Sequence, residues 1–460
     1  MVMTARQAYI TVGVLFLINL LNYMDRYTLA GVLPMIKKAF GLDFEVAGLL
    51  QTVFIVSYMS LAPIFGYLGD RYNRKIIMGT GILIWAGTTL ATSFNVWLML
   101  IIRGCVGIGE ASYSTIAPTI IADMFSGQQR TKMLAFFYFA IPVGSGLGYV
   151  SGSQIAAATK SWRWAFRITP GIAVVLSGFC FFVITDPPRG HCEQVAQNTE
   201  KYEVKATTWK ADMKALLRNK TYVWTTIGFT CVAFTTGALA FWAPTYITSA
   251  ELAQGITSTS STGLIFGAIT CAAGITGVLI GAESSRRFRN RIPYADAIIC
   301  AVGLLASAPF VYVSLFLAEV SLPLVWVLIF IGEVLINLNW TPIADILLYT
   351  VPPARRSTAE AFQILFSHLF GDAGSPYLIG AIADSITTNK EPAFQAFALK
   401  YALSITTFVC VLGGAGFLMA SFSLEKDRKE AEFQTEHNIK NQIENYDESI
   451  HDDLLMMIPR

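Results

Sequence analysis

The chain has 460 residues, 54% of them hydrophobic and only 14% charged, with a formal net charge of +2. A soluble domain carries about 25% charged residues, so this composition excludes one and places the chain in a lipid bilayer. The net charge by itself says little beside its distribution, and the seven cysteines show neither zinc-ligand spacing nor a disulfide framework.

Crossing a hydrocarbon core of about 30 Å takes roughly 20 apolar residues in a helix. Twelve segments meet that length: 9–33, 44–68, 76–95, 97–121, 133–157, 165–185, 222–248, 260–283, 293–317, 322–349, 358–383 and 398–424, numbered below as helices 1 to 12. They are too long for barrel strands of about 9–11 residues, so an all-α bundle is predicted. The first segment is no cleavable leader, because its apolar run is too long and holds charges. Asp186–Lys220 is the longest hydrophilic stretch between segments and opens with Pro187-Pro188. It divides the chain into an N-terminal six-helix bundle (1–185), a linker (186–220) and a C-terminal six-helix bundle (221–424). The charged tail, 425–460, is expected to be disordered.

Orientation follows from charge. Of 33 basic residues, 24 lie at the N-terminus, in the connections after even-numbered helices and in the tail. Only Lys37, Lys38, Lys160, Arg163, Arg167, Lys390 and Lys400 lie on the other side. Lys/Arg excess marks the cytoplasmic face, so both termini are expected in the cytosol.

Polar residues inside the spans locate the chemistry. Helix 1 carries Asn22-Tyr23-Met24-Asp25-Arg26, and ionisable groups at that depth persist where they pair, line a cavity or move charge. In helix 4, seven residues separate Arg103 from Glu110, nearly two turns or about 10 Å along one face, and Ser114 continues that face. Gly104, Gly107 and Gly109 thin the same helix for close neighbours. Helix 10 holds Glu333 and Asn337 four residues apart, a polar lining or an interhelical hydrogen-bonding pair. Helix 11 holds His368 and Asp372 at the same spacing, able to titrate near neutral pH. Phe54, Tyr58, Phe137, Tyr138, Phe234, Trp242 and Phe362 are candidates for an apolar cavity wall. The glycines of helix 5 (Gly144, Gly146, Gly148, Gly152) read as close packing. No nucleophile–base set, nucleotide-binding loop or metal-ligand spacing occurs, so no enzyme, cofactor, metal centre or ATP-driven pump is expected.

The two halves repeat. Gly66-Tyr67-Leu68-Gly69-Asp70-Arg71-Tyr72-Asn73-Arg74-Lys75 follows helix 2, and Gly281-Ala282-Glu283-Ser284-Ser285-Arg286-Arg287-Phe288-Arg289 follows helix 8, 215 residues later. A second echo pairs Pro118, Asp123 and Arg130 with Pro342, Asp345 and Arg356. Duplicated transporters show such internal symmetry. The Gly66–Lys75 stretch resembles the signature between helices 2 and 3 of the major facilitator superfamily. The resemblance implies two pseudo-symmetric six-helix bundles and a cytosolic gate built from Gly66, Asp70, Arg71, Arg74, Asp123 and Arg130. In that reading Gly66 permits close helix approach and Asp70 accepts bonds from arginines.

Three further stretches resemble the spinster family of lysolipid and sphingolipid transporters: Asn22–Arg26, Arg103–Ala111 and His368–Pro376. That resemblance implies that helices 1 and 4 line a central cavity, where Asp25, Arg26, Arg103 and Glu110 face one another and couple transport to protons. A static ion-pair set is the competing reading. Tyr58, Ser114, Tyr138, Trp242, Glu333, Asn337 and His368 are the expected substrate-cavity residues. The expected activity is alternating-access, proton-coupled symport of an amphipathic lysophospholipid or a sphingolipid such as sphingosine-1-phosphate. The expected partners are that lipid, protons and the bilayer, for a monomer without cofactor or nucleic acid. A porter for a small organic anion and a non-transporting sensor or scaffold remain open. Asp452-Asp453-Leu454-Leu455 faintly resembles a dileucine sorting signal, so a lysosomal or late endosomal membrane is expected, with the plasma membrane as the other destination.

Overall fold

A computed structural model of the chain describes residues 5–93, 96–125, 127–187, 209–256, 260–352, 355–387 and 391–456. Helix 1 runs Ala5–Phe40, helix 2 Phe44–Arg71, helix 3 Arg74–Ala91, helix 5 Gly127–Thr159 and helix 6 Ala165–Phe182. Helix 7 runs Lys220–Ala253, helix 8 Ser260–Phe288, helix 9 Ala295–Leu317 and helix 12 Pro392–Met456. Three spans are broken. Helix 4 comprises Val96–Ser114 and Ala117–Met124; helix 10 comprises Leu322–Asn337 and Trp340–Thr350. Helix 11 comprises Arg356–Ser367 and Gly374–Ile386, joined through a π turn at His368–Asp372. A short helix, Trp209–Arg218, precedes helix 7.

Local chemistry sets several of these ends. The Asn73 side chain accepts from the backbone N–H groups of Lys75 and Ile76, starting helix 3, and Asn219 does the same for Tyr222 at the start of helix 7. Gly41 and Gly255, with φ of 65° and 78°, form turns at the face opposite the N-terminus, in a region that suits glycine. Among the described residues, helices 1, 2, 5 to 10 and 12 are each long and apolar enough to cross a membrane. Helix 3 opens with Arg74-Lys75, helix 4 carries Arg103 and Glu110, and helix 11 carries Glu360, His368 and Asp372, which lowers their apolar content.

The packing repeats with a shift of six helices. In the N-terminal half, helix 1 packs on helices 5 and 6, helix 4 on helices 2 and 3, and helix 3 on helix 6. In the C-terminal half, helix 7 packs on helices 11 and 12, helix 10 on helices 8 and 9, and helix 9 on helix 12. The fold is therefore the expected pair of six-helix bundles.

The halves meet along two seams, helix 2 with helix 11 and helix 5 with helix 8. Small residues set both. A Cβ on Gly48 would collide with the Pro376 backbone, one on Gly380 with Phe44, and one on Gly146 with Gly267. The largest core cluster bridges the halves and includes Leu33, Phe44, Trp242, Tyr246 and Ile379. Phe44 and Ile379 sit near the end of the molecule opposite the termini, so the halves are closed at that distal face.

The tail departs from expectation. Helix 12 continues without interruption from Pro392 to Met456, so residues expected to be disordered are helical. Ion pairs one turn apart, Lys429 to Glu425 at 2.6 Å and Arg428 to Glu432 at 2.9 Å, support the extension. The linker residues 188–208, and with them Cys192, lie outside the described residues, as do the side chains of the Asp452–Leu455 stretch.

Candidate functional site

Arg26 of helix 1 and Glu110 of helix 4 form an ion pair, Nη2 to Oε2 at 2.9 Å, with the Glu110 side chain 1% exposed and Arg26 13% exposed. Arg26 is framed by aromatic rings: its guanidinium lies 5.0 Å from the Tyr23 and Phe54 ring centres and 5.4 Å from that of Tyr58. The pair is incompletely satisfied. Glu110 Oε1 and Arg26 Nε are buried without hydrogen-bond partners. Glycines make the approach possible, since a Cβ on Gly107 would strike the helix 2 backbone at Phe54 and Tyr58.

Asp25 turns the other way, because successive residues on a helix diverge by about 100°. Its Oδ2 accepts from Trp85 Nε1 and Thr89 Oγ1, both at 2.8 Å, and its Oδ1 accepts from Thr169 Oγ1 at 2.9 Å. Helices 3 and 6 thus hold Asp25 with three neutral donors, and its side chain is buried inside the N-terminal half. Arg103 is also buried. Its guanidinium lies 5.1 Å from the Phe54 ring centre, and its Nε and Nη2 have no hydrogen-bond partner. The expected four-residue set is therefore corrected: Arg26 and Glu110 pair, Asp25 bonds to neutral groups, and Arg103 feels both carboxylates without bonding either. Trp85, Thr89 and Thr169 went unread in the sequence, since nothing in spans 3 and 6 marks which side chains face helix 1.

The cavity beside Arg26 lies between the halves. Arg26, Tyr27, Ala30, Gln51 and Ile55 line it from one side and Gly237, Ala240, Phe241 and Asp372 from the other. The His368 Nδ1 lies 2.8 Å from Asp372 Oδ1, within the π turn. Close packing fixes that turn, because a Cβ on Gly371 would collide with Ala233 of helix 7. Gln51 Oε1 is buried without a partner and marks another polar wall position.

The remaining expected cavity residues divide. Tyr58 stands beside Arg26, and Tyr138, half-buried, lies in electrostatic range of Tyr58 and of Glu360 in the other half. Ser114 ends the first piece of helix 4 with its hydroxyl buried and unpartnered. Glu333 accepts from Thr270 at 3.2 Å through Oε1, while Oε2 is unpartnered. Asn337 donates to the Glu333 carbonyl at 2.8 Å and accepts from Trp340 at 3.1 Å, which is bonding along its own helix. Trp242 is a correction. It is wholly buried in the closed seam, donating to the Pro376 carbonyl at 2.8 Å and stacking edge-on with Phe44.

Of the expected gate residues, Arg74, Asp123 and Arg130 are bonded at the face carrying the termini. Arg74 bonds Asp123 at 2.6 Å, Asp186 at 2.7 Å and the Pro187 carbonyl at 2.6 Å, tying helix 3, helix 4 and the segment after helix 6. Arg130 donates to the Phe125 carbonyl at 3.0 Å. The C-terminal half mirrors this: Arg289 bonds Asp345 and, at 2.7 Å, Asp296, and Arg356 donates to the Val351 carbonyl at 3.1 Å. These bonds lie within each half. Arg71 is exposed and stacks on Tyr67, and the Asp70 side chain lies outside the described residues. A Cβ on Gly66 would meet open space, so the expected close approach there is corrected; Gly69, against Ile116, is the tight position.

Comparison with known proteins agrees with this architecture. The Major Facilitator Superfamily profile matches residues 15–375. The chain is 54% identical to Protein spinster homolog 1 of Xenopus laevis over 93% of its length and 83% of that protein's. It is 51% identical to Protein spinster homolog 1 of Homo sapiens, over 92% and 83% of the two chains. It is 47% identical to the Sphingosine-1-phosphate transporter SPNS2 of Mus musculus, over 92% and 78%. Among solved structures, a bacterial homolog to the human lysosomal transporter Spinster, in an inward-facing and unoccupied conformation, superposes with a TM-score of 0.81 at 19% identity, covering 93% of this chain and 99% of that one. The chain is a multi-pass membrane transporter, not an enzyme, and belongs to the spinster family of the major facilitator superfamily.

Proposed function

We propose that this protein carries single-chain amphipathic lipids, lysophospholipids or sphingosine-1-phosphate, by alternating access coupled to protons. The Arg26–Glu110 pair carries the reading: an incompletely bonded ion pair beside a cavity shared by the two halves. Arginine presents a planar fork of donors suited to a lipid phosphate. The identity with the sphingosine-1-phosphate transporter of mouse supports a lipid of that class.

In this scheme Glu110 takes the proton. Protonation neutralises its carboxylate, releases Arg26 to the headgroup, and leaves Arg103 as the buried cation that keeps the site positive. Asp25 is the anchor, because its carboxylate is already engaged by three donors. The face carrying the termini is the cytosolic one, by its Lys/Arg excess, so the distal closure corresponds to an inward-facing state. The Arg74 and Arg289 clusters stiffen each half at that face, and the signature stretch closes the cytosolic side when the halves rock together. Coupling is tested by uptake of sphingosine-1-phosphate and lysophosphatidylcholine into proteoliposomes, with and without an imposed pH gradient. Glu110→Gln should retain lipid binding and lose the response to the gradient. An unchanged response would remove Glu110 from the coupling role.

A further inference from the structure

A second cavity lies inside the C-terminal half, between helices 7, 8, 9 and 10. Its wall is built from Ala243, Tyr246, Phe266, Val311 and Val325, all buried, with Ser314 among the few polar groups. Leu239, Ile329 and Glu333 line it too and are only partly buried, which places its mouth at those three residues. Val325, Ile329, Glu333 and Ile336 recur at intervals of three to four, so one face of helix 10 runs along the cavity; from Glu333 to Val325 it extends about 12 Å.

The mouth adjoins the central site. Glu333 is in electrostatic range of Tyr27 and Tyr149 of the other half, and Tyr27 itself lines the Arg26 cavity. Phe266, in the wall of the apolar cavity, stacks edge-on with Tyr149 at 4.9 Å. Tyr27, Tyr149 and Phe266 thus form an aromatic row, with ring centres 5.2 and 4.9 Å apart, between the cavity that holds the Arg26 guanidinium and an apolar end that holds almost nothing but hydrocarbon. The free volume of the apolar end is about 40 Å³. A single water needs about 10–15 Å³, and cavities lined by aliphatic and aromatic groups stay dry. The space fits a few methylenes and leaves a whole tail outside.

We propose that this cavity seats the terminal segment of the substrate's alkyl chain and gauges its length, with Ala243 and Val311 setting the stop. The inference rests on the lipid reading given above and adds to it which part of the lipid is measured, and where. Each methylene kept out of an apolar seat weakens binding about fourfold, so the preference for chain length should be steep once the seat is full.

The test is competitive uptake into proteoliposomes of lysophosphatidylcholines bearing lauroyl, myristoyl, palmitoyl and stearoyl chains. Ala243→Phe fills the seat and should move the preferred chain shorter, with about fourfold loss per excluded methylene. Val311→Ala enlarges it and should move the preference longer, so a folding defect in one variant leaves the other to decide. Equal slowing at every length, or an unchanged optimum in both variants, would overturn the gauge while leaving lipid transport intact. That outcome is also the one expected if a resident bilayer lipid fills the cavity. Failure of the parent protein to take up any of the four would overturn the lipid reading and the gauge together.

Discussion

The distal closure depends on a helix cap supplied from the other half. Asp43 precedes helix 2 but makes no capping bond with its side chain. The N-terminus is bonded instead by Asp384 of helix 11, whose Oδ1 accepts from the Phe44 N–H at 2.9 Å and Oδ2 from the Glu45 N–H at 2.6 Å. Tyr377 adds a bond to Glu45 at 2.8 Å across the same seam. When the halves part at this face, these bonds break and helix 2 loses its cap. A side-chain cap contributes about 1 kcal/mol and a carboxylate at the positive end of a helix about 0.3–1 kcal/mol more. Asp384→Ala should therefore favour the state open at the distal face by about 1–2 kcal/mol, roughly 5–30-fold in population. Asp384→Asn, which keeps one acceptor, should give the smaller shift. Spin labels on cysteines replacing Lys38 of helix 1 and Ser385 of helix 11, both exposed, report the separation of the halves by electron paramagnetic resonance in reconstituted vesicles. A longer-distance population should appear in the parent, grow in Asp384→Asn and dominate in Asp384→Ala. Identical distance distributions in all three would refute the capping account.

Asp25→Asn replaces an acceptor-only group facing three donors with an amide that must present an N–H to one of them. It should cost about 1–3 kcal/mol, read as a lower melting temperature in detergent, while the response of transport to a pH gradient survives. Gly48→Leu should prevent the distal seam from closing, because its Cβ alone would strike the Pro376 backbone; faster labelling of a cysteine at Thr52 by a membrane-impermeant reagent applied from that face is the readout. Arg74→Ala removes the cation shared by Asp123 and Asp186, whose side chains are part-exposed, and should cost about 1–3 kcal/mol, appearing as low yield and early thermal unfolding more than as altered substrate preference.

The spans and the repeat of six helices in two halves were readable because charge is excluded from most windows of membrane length, and that exclusion is a property of sequence alone. Breaks inside spans were not. Ser114 to Ala117 interrupts helix 4 where Pro118 begins a new first turn, and the π turn of helix 11 comes from packing of Gly371 on helix 7. Arg26 and Glu110 were legible as charges in apolar surroundings, but their pairing was not, because the spacing of helix 4 does not say which charge of helix 1 faces it. The partners of Asp25 were hidden because threonine and tryptophan are ordinary in any span. Trp242 was misplaced for a related reason: an aromatic ring suits a substrate wall and a closed seam equally well, and only tertiary packing separates them. The tail misled in the opposite direction, since its alternating acidic and basic residues support a helix through pairs one turn apart.

Asp25 and Arg26 are chain neighbours with opposite duties. Three bonds from helices 3 and 6 fasten Asp25 to the frame of the N-terminal half. Rotating helix 1 to withdraw Arg26 would tear all three, so helix 1 cannot act as a turning key. Any exchange of partners must be carried by the long arginine side chain swinging on a fixed pivot, and by motion of the opposite half past it. The adjacency thus sets the moving part of this transporter at the scale of a single side chain on one side of the cavity and of a whole bundle on the other.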